Sequence, residues 1–412
     1  MTTHGIHDEL YNMQWSLEQI HARDAWEVAD GSAEVKVAIV DNAVRASHED
    51  LVANRWVNLL EIADNQLDDD GNGFVDDIYG YDVADDDNNP EPPVGSLNSG
   101  NFTHGTHCAG IAAASTGNAT GIASIGNGIR FISVKCTPDT YTTNTLTESY
   151  AGVDYAIAAG ADIISMSFGS THQFMTWNAL IDAAAANNIL MIAAAGNNDD
   201  ETIFYPAGYD YVLAVGSTTT DDSKSSFSSY GSWVDVMAPG SGIYSTLPES
   251  GDTYGNLSGT SMACPLVAGL LKSTDPEMSV ERLKNAIASG CENIDAQNPE
   301  YVGKMGAGRI NAYRSIQRAL LATEEVTKAD GILKFYPNPN QGNFTIRAGA
   351  DMNGTSQLTV FNQLGQNVYQ QEISLSMERQ EVPVQITGLS KGLYTIRLAN
   401  GSEMQHATLV IE

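Results

Sequence analysis

The residue types that together perform acyl transfer occur in this 412-residue chain in settings suited to the task. That chemistry needs a hydroxyl with a base beside it and a carboxylate that holds the base in one tautomer. It also needs donors aimed at the oxyanion that develops. Ser261 lies in Gly259-Thr260-Ser261-Met262-Ala263-Cys264-Pro265, between a tight turn and a helix start. A helix N-terminus presents free backbone N–H groups, so the Ser261 N–H is placed to hold an oxyanion. Pro265 falls in the first turn, where a missing N–H does no harm. An ordinary serine cap reads the same way. In His104-Gly105-Thr106-His107-Cys108-Ala109-Gly110 two histidines share a helical face, and spacing alone does not say which is the base. A metal pair is the rival reading, against which stands a spacing of three with no glutamate between. Asp41 ends an apolar run, and Asn197 ends Ala193-Ala194-Ala195-Gly196-Asn197. Taken singly, each also reads as a capping or turn residue.

These groups are far apart in the chain, so a fold must bring them together. Val35–Val40, Arg130–Lys135, Asp162–Ser167, Ile189–Ala194 and Tyr211–Val215 are apolar runs of strand length, each buried on both faces. Helical stretches of small residues, Tyr150–Ala159 and Trp177–Asn187, lie between them. Strand, helix, strand in series predicts an α/β domain, a parallel sheet with helices on both faces. In such sheets functional groups gather beyond the carboxyl ends of the strands. Asp41 and Asn197 each follow a strand, and His104 and Ser261 each open a helix. All four are therefore expected at one edge of the sheet.

From Ile332 the pattern changes to short alternating runs, Phe344–Ile346, Leu358–Phe361, Val382–Ile386, Leu393–Leu398 and Ala407–Ile411, punctuated by turn residues. An all-β sandwich of about seven strands is expected there. The helix Asn311–Leu321 closes the first domain. The expected division is residues 1–322, a linker at 323–331 and the sandwich at 332–412.

The net charge is -31, of which only -1 belongs to residues 332–412. So acidic a surface disfavours nucleic acid and anionic membranes as partners. No apolar run approaches the roughly 20 residues that span a bilayer. Met1–Asp8 has neither a basic nor an apolar stretch, so no signal peptide is expected in this sequence, and an exported protein would have lost its leader. The four cysteines, Cys108, Cys136, Cys264 and Cys291, lack zinc-type spacing and read as buried thiols. Cys108 and Cys264 should pack beneath the site on its two helices, neither as a nucleophile.

Val37–Asp41, His104–Gly110, Ser165–Gly169, Ala193–Asn197 and Gly259–Pro265, in that order, resemble the subtilisin-like serine proteases, as do Phe204–Gly216 and Ser225–Pro248. The resemblance covers roughly residues 10–320. It implies a serine endopeptidase of broad specificity, monomeric, acting on proteins and peptides with a preference for apolar P1 side chains. It implies Ser261 as nucleophile, His104 as general base, Asp41 as its orienting carboxylate and Asn197 as oxyanion donor. Ser167, Phe168 and Gly169, with Ala194, Ala195 and Gly196, would form the two walls of the primary specificity pocket, their backbones pairing with an extended substrate. The chain departs from the family where Asp41-Asn42-Ala43 replaces Asp-Ser/Thr-Gly; Asn42 is still expected to donate to the carboxylate. Leu266 stands where a histidine is common, and Phe168 where a leucine is usual.

Residues 61–91 hold twelve acids and no Lys or Arg. Within them Asp68-Asp69-Asp70-Gly71-Asn72-Gly73-Phe74-Val75-Asp76-Asp77 spaces oxygens around a glycine turn, which suits a hard cation. It is not a full EF-hand, since Tyr79 stands at the twelfth position. Similar insertions in the family imply structural calcium, with Asp68, Asp70, Asn72 and Asp77 as ligands and Asp76 as the alternate.

Phe335-Tyr336-Pro337-Asn338-Pro339, Gly342-Asn343-Phe344, Asn362-Gln363-Leu364-Gly365, Gly388-Leu389 and Gly392-Leu393-Tyr394 resemble the C-terminal sorting domain of type IX secretion. That implies engagement of the export machinery of a Bacteroidetes-type bacterium, and a secreted or cell-surface protein. The usual basic residue near the C-terminal end is missing.

Overall fold

The computed structural model describes residues 7–97, 99–142, 145–267, 270–329, 334–336, 342–347, 354–362, 366–375, 381–386, 388–400 and 403–411. The chain divides into two compact units, Met1–Ala319 and Leu320–Glu412.

The first unit is built on β1 (Lys36–Asp41), β2 (Gly80–Asp82), β3 (Arg130–Lys135), β4 (Ile163–Met166), β5 (Leu190–Ala194), β6 (Leu213–Thr218) and β7 (Val236–Pro239). They form one parallel sheet in the order β2-β3-β1-β4-β5-β6-β7. The central strands are runs of Val, Ile and Ala because both faces are covered, as parallel pairing demands. Val37 and Ile39 point into one core and Ala38 and Val40 into the other. The chain leaves β1 towards β3, then crosses back over it to lay β4–β7 on the other side. The winding thus reverses at β1, which opens a crevice beyond the carboxyl end of that strand, where Asp41 stands.

Nine α-helices lie among the described residues: α1 (Trp15–Gln19), α2 (Ala22–Trp26), α3 (Thr103–Ala113), α4 (Ser149–Ala158), α5 (Trp177–Ala186), α6 (Thr260–Ala263), α7 (Leu270–Thr274), α8 (Val280–Gly290) and α9 (Ala312–Ala329). α3 and α8 pack on one face of the sheet, through Cys108, Ala109 and Ala112 and through Leu283 and Ile287. α4 and α5 cover the other face through Val153, Ala156, Leu180 and Ala184. The α/β architecture expected from the sequence is the one found. β8 (Ile243–Leu247) and β9 (Thr253–Leu257) add an antiparallel hairpin. None of the described helices is long and apolar enough to cross a membrane.

The second unit has a three-stranded sheet of β10 (Lys334–Tyr336), β11 (Asn343–Arg347) and β14 (Glu381–Gln385). A four-stranded sheet holds β12 (Gly354–Phe361), β13 (Asn367–Leu375), β15 (Gly392–Asn400) and β16 (Glu403–Ile411). Phe344, Ile346 and Val384 from the first meet Leu358, Val360, Ile396, Leu398 and Leu409 from the second in one core, which makes the unit a sandwich. The sequence reading differs from the structure at the expected linker. α9 runs on to Ala329, through residues read as part of 323–331, because no glycine or proline interrupts Ala312–Ala329.

Candidate active site

α3 approaches the end of β1 so closely that a methyl group built on Gly105 would lie 2.3 Å from the Ala43 carbonyl oxygen and 2.9 Å from Asp41 Cβ. Only a residue without Cβ fits, and its neighbour His104 is thereby brought onto Asp41. His104 Nδ1 stands 2.9 Å from each Asp41 oxygen, with the carboxylate almost fully buried and the imidazole one-quarter exposed. A carboxylate there fixes the Nδ1–H tautomer and leaves Nε2 as the acceptor. Burial disfavours the imidazolium, but the Asp41 charge outweighs it, and the His104 pKa is held well above the usual histidine value.

The two histidines left unresolved by spacing separate clearly. His107 is fully buried, and its Nε2–H donates to the Ile243 and Gly255 carbonyls at 3.0 and 3.1 Å, tying α3 to the β8–β9 hairpin. Burial pushes its pKa down to about 3, so it stays neutral.

Asn42 acts differently from the expectation that its side chain serves the carboxylate. The group that reaches Asp41 Oδ1 is its backbone N–H, at 2.7 Å. Its side-chain Oδ1 accepts from the Gly105 and Ala43 N–H groups at 3.0 and 2.9 Å, while Nδ2 donates to the Asn101 carbonyl. Asn42 therefore caps the first turn of α3 and clamps it to β1.

Ser261 is the second residue of α6 and is nearly buried. Its hydroxyl donates to the Ser167 carbonyl at 3.0 Å, and the Ser167 hydroxyl returns a bond to the Ser261 carbonyl at 2.8 Å. Among the described residues Ser261 Oγ is thus bonded to Ser167 and not to His104; the two side chains share one cleft. Asn197 Oδ1 accepts from the Thr260 N–H at 2.9 Å and the Thr260 hydroxyl at 3.0 Å. Because a backbone N–H can only donate, the amide orientation is fixed and Nδ2 is left to face outward. A methyl on Gly259 would lie 3.5 Å from Asn197 Nδ2 and 3.6 Å from the Ser261 nitrogen, so both donors border one small region.

That cleft has a volume of about 440 Å³, and Ser167, Phe168, Gly169, Ala194 and Gly196 line it beside His104, Asn197 and Ser261. Ala195 does not; its side chain is buried with Val234 and Met237 in a separate core. The Phe168 ring leans towards Trp177, with centroids 6.3 Å apart. Three of the four thiols, Cys108, Cys136 and Cys264, are buried as expected, and Cys291 is not: it is half-buried, and all four are free. Burial pushes the Cys264 pKa up to about 12, which keeps that thiol inert, and that of Cys108 upward as well.

The acidic loop forms a second candidate site, with a changed membership. Oxygens of Glu61, Asp70 and Asp77 lie within 4.8 Å of one another. Asn58 Nδ2 donates to both Asp70 and Asp77, at 2.9 and 2.7 Å, and Asn72 Nδ2 does so at 3.2 and 3.1 Å. Asp68 lies outside that cluster, and its oxygens accept backbone N–H groups of Gly71, Asn72 and Gly73, as those of Glu61 accept from Asp69, Asp70 and Asp76. Asp76 likewise closes a turn through Asn65 and Gln66. The sequence reading missed Glu61, which lies seven residues before the Asp68–Asp77 run and reaches it only through the fold. Full charges at such spacing repel by about 3 kcal/mol per pair at an effective dielectric of about 20. Burial raises the Asp77 pKa, and no basic side chain pairs with the three among the described residues. By contrast, the carboxylates of Asp82, Asp85 and Asp139 surround the buried Lys135 ammonium. The donor set and the missing counter-charge of the first cluster fit a hard cation. Asp8 and Asp50 are also buried; Asn118 donates to both, and burial pushes Asp50 up to about 7.

A carboxylate-bound imidazole and a helix-borne serine lining one cleft, at the switch point of a doubly wound sheet, are the groups that a serine hydrolase on an α/β fold uses. Residues 32–308 match the model of the subtilase family, and residues 334–412 match that of the secretion system C-terminal sorting domain. Thermitase of Thermoactinomyces vulgaris is 38% identical over 307 residues, spanning 74% of this chain and 96% of that protein. A thermophilic serine proteinase of Bacillus sp. (strain AK1) is 35% identical over 305 residues, 74% of this chain and 67% of its own. Among solved structures, a protease of Pseudoalteromonas arctica PAMC 21717 superposes with a TM-score of 0.61 at 27% identity, covering 76% of this chain and 99% of that one. The chain belongs to the subtilase family and is a serine endopeptidase carrying a C-terminal sorting domain.

Asn42→Ala should lower kcat by roughly tenfold with little change in KM, and reduce stability by about 1 kcal/mol for the lost cap. Asn42→Ser, which keeps an uncharged acceptor in the same turn, should recover part of the stability. Steady-state kinetics and thermal melts check both; an unchanged kcat in Asn42→Ala would show that the clamp does not position His104.

Proposed function

We propose that peptide-bond hydrolysis runs through an acyl-enzyme on Ser261, with His104 as general base and acid, Asp41 as its orienting carboxylate and Asn197 as oxyanion donor. The observation that carries this reading is the buried Asp41 carboxylate gripping His104 Nδ1 in the cleft that holds Ser261 and Asn197. With substrate present, rotation of the Ser261 side chain exchanges the Ser167 carbonyl for His104 Nε2, a tightening that apo sites commonly await. Ser261 Oγ attacks the scissile carbonyl carbon as its proton passes to Nε2. Asn197 Nδ2 and the Ser261 N–H take up the oxyanion. The imidazolium then gives its proton to the leaving amine as the C–N bond breaks. Water, deprotonated by the same Nε2, cleaves the ester and returns the proton to Ser261.

A fluorophosphonate probe tests the nucleophile: it should label the wild-type chain and fail on Ser261→Ala, with hydrolysis lost alongside. Labelling that persists in Ser261→Ala would remove Ser261 from this role.

The acidic loop holds calcium as a structural ion in this reading, through Glu61, Asp70 and Asp77 with Asn58 and Asn72 beside them. The ion supplies counter-charge that fixes the loop beside β2 and plays no part in proton transfer. A chelator should lower Tm by about 5–10 °C, the size of shift that saturating ligand gives a domain of this length, and calcium should restore it. An unchanged Tm would exclude the ion.

The sorting domain supports export and a secreted or cell-surface location, with the machinery that reads such domains as partner. Protein and peptide segments presented in extended form are the proposed substrates.

A further inference from the structure

Between the two walls of the cleft stands an aromatic ring that the assignments above leave without a role. Phe204 lies on the segment after Asn197, and its neighbours are stitched to the first wall. Ser170 N–H donates to the Tyr205 carbonyl at 2.8 Å, and Tyr205 N–H to the Ser170 carbonyl at 2.7 Å. The Phe204 carbonyl in turn accepts from the Gly208 N–H at 2.8 Å. The main chain around Phe204 is therefore held, and the ring moves only by its own torsions.

Both walls are bare where the ring meets them. A methyl built on Gly169 would lie 2.6 and 2.8 Å from Phe204 Cε1 and Cδ1, and one on Gly196 would lie 3.0 Å from Cγ and 3.2 Å from Cδ1 and Cδ2. The ring thus fills the slot between the ends of β4 and β5. It is half-exposed, belongs to neither core that flanks the sheet, and lines the same cleft as Ser261. A side chain inserted between these walls from the scissile residue must share the slot with it. Among the described residues no acidic, Lys or Arg side chain lines the cleft, so none of them compensates a charged group.

We propose that Phe204 sets the P1 preference by occupying the far part of the pocket, so that short uncharged side chains such as Ala, Ser, Thr and Val are accepted ahead of Phe, Tyr and Leu. This rests on Ser261 being the nucleophile, since that places the P1 residue between these walls. Removing the ring converts a shallow pocket into one that buries an aromatic side chain.

The test compares two chromogenic peptides differing only at P1, Ala against Phe, on the full chain and on Phe204→Ala, Phe204→Leu and Ser261→Ala. Wild type should favour P1 Ala. Phe204→Ala should shift the kcat/KM ratio towards P1 Phe by roughly 30-fold, within the range over which pocket volume discriminates apolar side chains. Phe204→Leu should fall between, and thermal melts of both variants report whether the fold is kept. A wild type that prefers P1 Phe, or a ratio unmoved within threefold in folded variants, overturns the role of Phe204 while hydrolysis still depends on Ser261. Hydrolysis that survives Ser261→Ala sinks the nucleophile assignment, and this proposal with it.

Discussion

The contact between the buried Asp41 carboxylate and His104 depends on how near a helix can come to the end of a strand. Gly105 lets α3 touch β1, and Asn42 locks the two together through the Gly105 N–H. Everything on the far side of the cleft is arranged relative to that join. The hairpin is tied to α3 by His107, and α6 is tied to the β4 wall by the paired Ser167–Ser261 bonds. The reversal of winding at β1 supplies the crevice, and the small residues on α3 supply the approach. Neither alone would set an imidazole on a carboxylate.

Charge is handled in two ways in the acidic half of the chain. Where Lys135 is available, three aspartates surround it and the cluster closes on itself. Where no basic side chain among the described residues reaches, at Glu61, Asp70 and Asp77, asparagine amides and a tyrosine hydroxyl soften the repulsion without cancelling it. Burial of such a group is costly unless a cation joins it.

The large features were legible because they repeat a period. β1, β3, β4, β5 and β6 are continuous apolar runs and were read within two or three residues, as were α4 and α5. Two of the strands that escaped lack that signal. β2 is Gly80-Tyr81-Asp82, too short to show a pattern. β13 carries Gln370, Gln371 and Glu372 in a row and is an edge strand, where apolar alternation is not enforced. Site membership failed where it depends on which way a side chain turns. Ala195 adjoins two lining residues yet faces a different core, and the oxygens of Asp68 and Asp76 lie outside the cluster that Glu61, Asp70 and Asp77 form. Glu61, Asp8 and Asp50 give no local sign of their partners, which only the fold brings near. His104 and His107 are equivalent by spacing, and burial against backbone carbonyls is what distinguishes them.

The central claim is that the Asp41 charge holds His104 in its working tautomer and raises its pKa. The direct test is the pH dependence of kcat/KM for the wild type and Asp41→Asn. A general base must be unprotonated, so activity should fall with decreasing pH through a midpoint above the ordinary histidine value in the wild type. In Asp41→Asn that midpoint should move down, and kcat should drop on the order of 10⁴-fold as the tautomer is lost. An Asp41→Asn enzyme within tenfold of wild type, with an unmoved acid limb, would contradict the account.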